Sequence, residues 1–342
     1  MTVSLQLYNN KMKTRLLIAP VLMCLLMSSA LKDARAQTSR AVEPPPKQQR
    51  AVAVTFDDLP FVSVPRPDIA AYREMTNKLL ATINANRIPV VGFVNESKLY
   101  ADGKLDDARV ALLRQWLDAN LELGNHTFSH PDLHTTPLDI FQANVIRGEE
   151  VTTKLLREKG LRLRYFRHPF LHTGMSLETK RTFEEFLKER GYRVAPVTID
   201  NSEWIFAAAY AKAAERGDRE MMWRVAAAYV PYMESVFDYY EKQSTALFGY
   251  EIKQTLLVHA NALNADYFGE LVSMMKRRGY KFITLDEALT DKAYTSPDSF
   301  TGRGGITWLH RWALTAGKRG AFFAGEPLTP AFVMQEAGVT EQ

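Results

Sequence analysis

From Ala51 onward, short apolar runs alternate with helix-patterned stretches, and the cycle recurs seven times. The strand-like runs fall at about 51–56 (AVAVTF), 89–94 (PVVGFV), 121–125 (LELGN), 163–166 (LRYF), 193–199 (RVAPVTI), 255–258 (TLLV) and 280–284 (YKFIT). Helical patterns lie between them near 68–86, 106–119, 137–159, 176–190, 203–246 and 265–278, and a short one follows at 285–290. Apolar runs of this length fit strands buried on both faces, and the longer patterns fit helices. A helix after each strand returns the next strand in the same direction, since parallel neighbours need a long crossover. The alternation predicts a parallel α/β sheet with helices outside it, open or closed into a barrel. With 342 residues, 46% of them hydrophobic, the chain can give that sheet one substantial core.

Two stretches exceed a minimal barrel. Residues 205–250 are rich in Ala, Tyr and Met and broken by Gly217-Asp218, which reads as an inserted helical hairpin, either packing accessory or wall of a substrate groove. The extension 291–342 carries Trp308, His310 and Trp312 in a helical pattern, read as contacts that dock it on the barrel.

Ahead of the alternation, residues 1–36 have the layout of a signal peptide. Lys11, Lys13 and Arg15 precede an apolar run from Leu16 to Ala30, and Ala34-Arg35-Ala36 offers a small-x-small cleavage site. Met12 is an alternative start. The apolar run is short for a membrane span, so the expectation is an exported protein, periplasmic or secreted, with no stable membrane anchor after cleavage. The leader also accounts for the formal net charge of +4: Lys11, Lys13, Arg15, Lys32 and Arg35 stand there against Asp33 alone. The remainder is near neutral, which argues against a nucleic-acid partner. Cys24, the single cysteine, sits in the leader without the small preceding residue of a lipoprotein signal. A mature chain would have no thiolate, so any metal must be held by His and carboxylate. Residues 37–50, with Pro44-Pro45-Pro46, read as a linker to a barrel over 51–290.

The polar residues fall at the strand ends. Asp57-Asp58 follow the first strand, Asn125-His126 the third, Arg167-His168 the fourth, Asp200 the fifth and His259 the sixth. The carboxyl ends of parallel strands converge on one face, where sites are built. Chance places one or two such residues there; five form a site. His126 and His130 are four apart, a separation that can bring both imidazoles to one side of a single turn. Alone, such a pair is a weak signal and fits two surface histidines. Joined by a carboxylate from another strand end, it becomes a two-His-one-carboxylate centre suited to hydrolysis. Asp57 and Asp58 are adjacent, so their side chains diverge; one can ligate while the other faces the attacking water.

These residues also match a family. Thr55-Phe56-Asp57-Asp58 and His126-Thr127-Phe128-Ser129-His130 resemble the first two motifs of the NodB-homology polysaccharide deacetylases, a carbohydrate esterase family. The resemblance continues in order through Arg167-His168-Pro169-Phe170, Asp200-Asn201-Ser202-Glu203-Trp204 and Leu256-Leu257-Val258-His259, spanning about residues 50–290. It implies a distorted (β/α)7-type barrel, here with an inserted helical hairpin and a C-terminal extension. It also implies one divalent metal ion, zinc in most members, with Co2+ or Ni2+ able to serve, held by Asp58, His126 and His130. Asp57 would be the general base and Arg167 the partner that orients it. The Phe170 backbone N–H would help hold the oxyanion. His259 would be the general acid, its charged form favoured by Asp200, and Trp204 an apolar wall.

The chain departs from the family pattern in several places. Phe170 stands where a tyrosine is usual, and His168 and His172 are additions beside it. Glu203-Trp204 stands where an aspartate commonly precedes the tryptophan, which makes Glu203 the other candidate partner of His259. Asn261 and Asn264 read as loop structure or as contacts to sugar hydroxyls, and His134 as a loop residue. The implied activity is hydrolysis of acetyl groups, N- or O-linked, from an acetylated glycan: chitin-like oligomers, peptidoglycan, poly-N-acetylglucosamine or acetylated xylan. A small-molecule C–N hydrolase and a catalytically silent glycan-binding protein are the competing readings. The leader disfavours the first and the full catalytic set the second.

Overall fold

The computed structural model describes residues 49–340. The leader, Cys24 and residues 37–48 of the linker lie outside the described residues. The strands are β1 (Ala51–Leu59), β2 (Val90–Val94), β3 (Tyr100–Ala101), β4 (Lys104–Leu105), β5 (Glu122–Asn125), β6 (Tyr165–Phe166), β7 (Arg193–Val194), β8 (Gln254–His259) and β9 (Lys281–Phe282). The helices are α1 (Ile69–Ala85), α2 (Asp107–Asp118), α3 (Leu138–Arg147), α4 (Glu150–Glu158), α5 (Leu177–Glu189), α6 (Glu203–Glu215), α7 (Arg219–Phe248), α8 (Ala262–Arg277), α9 (Leu285–Ala288), α10 (Trp308–Thr315) and α11 (Ala331–Ala337). All seven expected strands are present, and β3–β4 is an additional short antiparallel hairpin.

The main sheet is parallel and runs in the order β7-β6-β5-β2-β1-β8, with β9 paired to the first residues of β1. β1 is buried along nearly its whole length, as expected of a strand covered on both faces. The expected strand 193–199 forms a ladder only at β7, and the rest is irregular. It nonetheless reaches β8: Ile199 bridges Leu256 in parallel, and the Leu257 N–H donates to the Ile199 carbonyl at 3.2 Å. The sheet thus curls back on itself as a distorted (β/α) barrel.

Helix faces follow their sequence spacing. Asp68 caps α1, and Tyr72, Met75, Thr76, Leu79, Leu80 and Ile83 form its buried stripe. The single helix expected over 137–159 is two, α3 and α4, parted at Gly148. A Cβ there would lie 2.6 Å from the Thr127 carbonyl carbon, so the glycine lets this turn press on the loop carrying His126 and His130. The pattern over 203–246 likewise splits, with Gly217 at φ +72° and Asp218 capping α7.

The C-terminal residues pack where β7 gives out. The Trp308 N–H donates to the Val197 carbonyl at 2.8 Å, and Thr307 Oγ1 reaches the Val197 and Thr198 carbonyls at 3.1 Å each. Trp308, Leu309 and Trp312 join the main core, and His310 meets the Tyr239 hydroxyl at 3.1 Å. Among the described residues, no helix is long and apolar enough to cross a membrane.

Candidate active site

β1 ends in an irregularity that separates its two carboxylates. Phe56 pairs with Gly92 and Leu59 with Val94, so β1 spends one residue more than β2 over this step. Asp58 takes the left-handed conformation, φ +67°, which aspartate tolerates better than most residues. Such a bulge re-aims side chains beside active sites. Asp57 stays in register with His259 on β8, while Asp58 turns towards the histidines. His126 Nε2 and His130 Nε2 each lie 3.8 Å from Asp58 Oδ1.

The two histidines converge by a route the spacing did not predict. Residues 126–131 are not a helical turn: Thr127 and His130 are both left-handed, at φ +69° and +58°. Asn125 pins the loop, its side-chain oxygen accepting the Thr127 N–H at 2.7 Å. Asn144 does the same further along, accepting the Phe128 and Ser129 N–H groups at 2.9 and 3.0 Å. His126 Nδ1 lies 2.9 Å from the Arg167 carbonyl, a bond that fixes the tautomer and leaves the Nε2 lone pair available to a metal. Burial, then the neighbouring His130, holds His126 well below its ordinary pKa, so it is neutral as a ligand must be.

Whether these residues suit a cation is decided by Asp58. Its Oδ1 is buried with no hydrogen-bond partner, a costly state for a carboxylate oxygen. Burial works to raise its pKa, but Lys98 and the histidines outweigh this and hold the carboxyl below the usual range. An ionised, unpartnered oxygen facing two neutral imidazole nitrogens fits a divalent ion that accepts mixed N and O donors.

Lys98 was missed in the sequence. Its Nζ lies 3.4 Å from Asp58 Oδ2 and donates to the Asp58 carbonyl at 3.1 Å, which occupies one carboxylate oxygen and leaves Oδ1 unpartnered. It sits just beyond β2, at the same barrel face as the other site residues. Applying the strand-end rule to the second strand would have found it.

Asp57 is buried and pairs with Arg167, whose Nη1 lies 3.3 and 3.2 Å from its two oxygens. Arg167 is itself fixed by bonds to the Ala195 carbonyl (2.8 Å) and Thr55 Oγ1 (2.9 Å). Burial pushes Asp57 up to about 6 against the pull of Arg167, a value suited to a base working near neutral pH.

The assignment of Asp200 as partner of His259 is corrected by the structure. His259 Nδ1 lies 2.7 Å from Glu203 Oε2. Glu203, in the first turn of α6, is fully buried, and its other oxygen accepts the Asn261 side-chain amide and, at 2.8 Å, that of Asn264. Asn261 and Asn264 are therefore buried supports of this carboxylate. Asp200 turns back on its own chain, accepting the Asn201 N–H at 2.9 Å, and lines the cavity. Burial alone would lower His259, but the Glu203 charge and hydrogen bond prevail and raise it to about 9.

These groups open into a cavity of about 900 Å³. Phe170 and Trp204 stand half exposed at its wall, 53% and 47% accessible. Tyr232 and Tyr240 of α7 line it too, as do Gly305, Glu326 and Leu328 from the C-terminal part. Phe170 and Leu171 are both left-handed at φ +55°. The Leu171 and His172 N–H groups bond back to His168 and Pro169, a pattern that leaves out the Phe170 N–H. Arg311 anchors this loop from within, reaching the Leu171 carbonyl and, at 2.7 Å, Thr173 Oγ1. His168 is buried against Phe166, Phe183 and Trp308 and stays neutral, chiefly through burial.

Residues 45–195 match the family model described as polysaccharide deacetylase. The match ends before Asp200, Glu203 and His259. A peptidoglycan-N-acetylglucosamine deacetylase of Bacillus cereus is 23% identical over 159 residues, 46% of this chain and 48% of the relative. The chain thus spans about half the length of the curated relative it matches. Among solved structures, the peptidoglycan deacetylase PdaC of Bacillus subtilis is 20% identical with a TM-score of 0.43, covering 71% of this chain and 93% of that one. A CE4 family pseudoenzyme of Bacillus anthracis is 14% identical with a TM-score of 0.45, covering 71% and 66%. Over residues 45–195, this chain is similar to the polysaccharide deacetylase family.

Proposed function

We propose that this chain is an exported, metal-dependent deacetylase that hydrolyses acetyl groups from an acetylated glycan. The observation that carries the reading is the buried, unpartnered Asp58 Oδ1 facing His126 Nε2 and His130 Nε2 at 3.8 Å each. A divalent ion held by these three residues, zinc by the donor set, would supply Lewis acidity to the acetyl carbonyl and the attacking water.

The remaining chemistry belongs to the chain. Asp57, oriented by Arg167, takes a proton from the attacking water. The Phe170 N–H donates to the oxygen that gains charge as the carbonyl becomes tetrahedral. His259, kept charged by Glu203, gives its proton to the departing nitrogen, or oxygen for an acetyl ester. Trp204 forms an apolar wall for the sugar or the acetyl methyl group, and Asp200 faces the same cavity. The leader-like layout of residues 1–36 supports export, and export makes a polymer or its fragments the natural substrate. The near-neutral mature chain gives no support to a nucleic-acid partner.

The test is acetate release by the purified protein, with zinc and cobalt supplied, across a panel of N- and O-acetylated glycans. Metal-dependent release is expected. Retention of a glycan with no acetate released from any member would replace the deacetylase by a silent binding protein.

A further inference from the structure

A second group of metal-ligand side chains lies beside the first. Asp132, His134 and His172 each offer one donor atom, and the three atoms lie within 4.8 Å of one another. The His134 and His172 rings stack with centroids 3.7 Å apart and planes 8° apart. Asp132 organises both residues, with its Oδ1 2.6 Å from His172 Nδ1 and accepting the His134 backbone N–H at 2.7 Å. All three are half-buried, so a small ion can reach them, and His172 lines the cavity.

We propose that Asp132, His134 and His172 bind a second divalent cation of the zinc class, which fastens the Phe170 loop to the segment after His130. Two imidazoles and one carboxylate favour Zn2+, Co2+ or Ni2+ over Mg2+ or Ca2+, which want oxygen donors. Ligating imidazole and carboxylate groups must be unprotonated at the donor atom, so a site of this kind loses its ion as the solution is acidified. The positive charge of nearby Arg311 is offset by Asp298 at 3.8 Å.

The two sites are neighbours without sharing a ligand. Phe170 lies between them, its ring 4.4 Å from His130 and 5.8 Å from His172. The second ion is therefore a clamp and takes no part in activating water. Phe170 and Leu171 both occupy the left-handed region, at φ +55°, a conformation that ordinary residues hold only when their surroundings impose it. Arg311 secures the loop from inside the fold, and the second ion would secure it from the cavity rim, two residues beyond Phe170.

The experiment is zinc stoichiometry on the stripped and reloaded protein, by elemental analysis after dialysis and by calorimetric titration. The parent is expected to hold two equivalents. His134→Phe keeps a flat ring against His172 but removes the nitrogen, and is expected to hold one. His172→Gln is expected to do the same, so a folding defect in either variant, seen by circular dichroism, leaves the other to decide. His126→Ala is also expected to hold one, retaining the second site. A parent with one equivalent, lost in His126→Ala and kept in His134→Phe and His172→Gln, overturns this inference and leaves the proposed deacetylase intact. Two equivalents kept in both His134→Phe and His172→Gln overturn it as well, because the second ion then sits elsewhere.

Discussion

Glu203→Gln separates the role of His259 from that of the rest of the site. The substitution keeps an oxygen for Asn261 and Asn264 but removes the charge 2.7 Å from His259 Nδ1. With Glu203 present, His259 is raised to about 9. Without it, burial is the main remaining influence, and the ring falls to its ordinary value of about 6.5 or lower. At pH 8 the protonated share drops from about nine-tenths to about 3%, a loss of about thirtyfold in general-acid competence. At pH 6 both forms are mostly charged and the loss is below about twofold. A cation at Asp58 lowers His259 in both proteins, so the separation between the two alkaline limbs is the quantity to read. The assay is kcat/KM for acetate release from pH 5.5 to 9.5, and the alkaline limb is expected to move down by about two to three units. A loss of equal size at every pH, with the limb unmoved, would refute the general-acid assignment. Stability carries the same sign. A histidine raised in the folded state stabilises it fully below the unfolded value, and this is lost as pH rises through about 9. Glu203→Gln should therefore cost about 3 kcal/mol at pH 6 and little above pH 9.5, measured by denaturant titration.

Asp57→Asn should reduce acetate release by at least about a thousandfold while zinc stays bound; substantial release would remove it as the base. His259→Ala should harm acetamides more than activated acetyl esters, whose leaving groups need less proton assistance, and equal losses on both would argue against proton donation. At Gly305 a Cβ would sit 1.9 Å from the Phe170 carbonyl oxygen, so Gly305→Ala should displace that loop and lower kcat about tenfold or more, with zinc at the Asp58 centre unchanged. Unaltered kcat would show that the loop's position is not set from this side. Arg311→Met leaves the Leu171 carbonyl and Thr173 Oγ1 without their donor and should destabilise the fold by about 2–4 kcal/mol, read as a lower Tm.

The strands and most helices were legible because apolar periodicity depends on burial, which sequence records directly. β1 shows the limit of that reading. Its run AVAVTF marks a buried strand, but the bulge turning Asp58 away from Asp57 depends on pairing with β2, a segment more than thirty residues further on. The division at Gly148 depends likewise on the Thr127 backbone beneath it. At the site, His126 and His130 were readable from spacing, but their convergence uses two left-handed residues, not a helical turn. The choice between Asp200 and Glu203 needed three dimensions. Both follow the fifth strand, and only the first turn of α6 decides which carboxylate faces β8. Lys98 carries no motif, and its place just beyond the second strand was the one sequence signal that could have marked it.

The clasp of the C-terminal residues on the Phe170 loop has a bearing on how the protein matures. Every group proposed for proton transfer or ion binding precedes residue 260, yet the loop proposed to receive the oxyanion is held by Arg311 and abutted by Gly305. A ribosome-bound chain would have all its reactive side chains out long before it could use them. Under the proposed mechanism, competence would arrive late, with residues that do none of the chemistry.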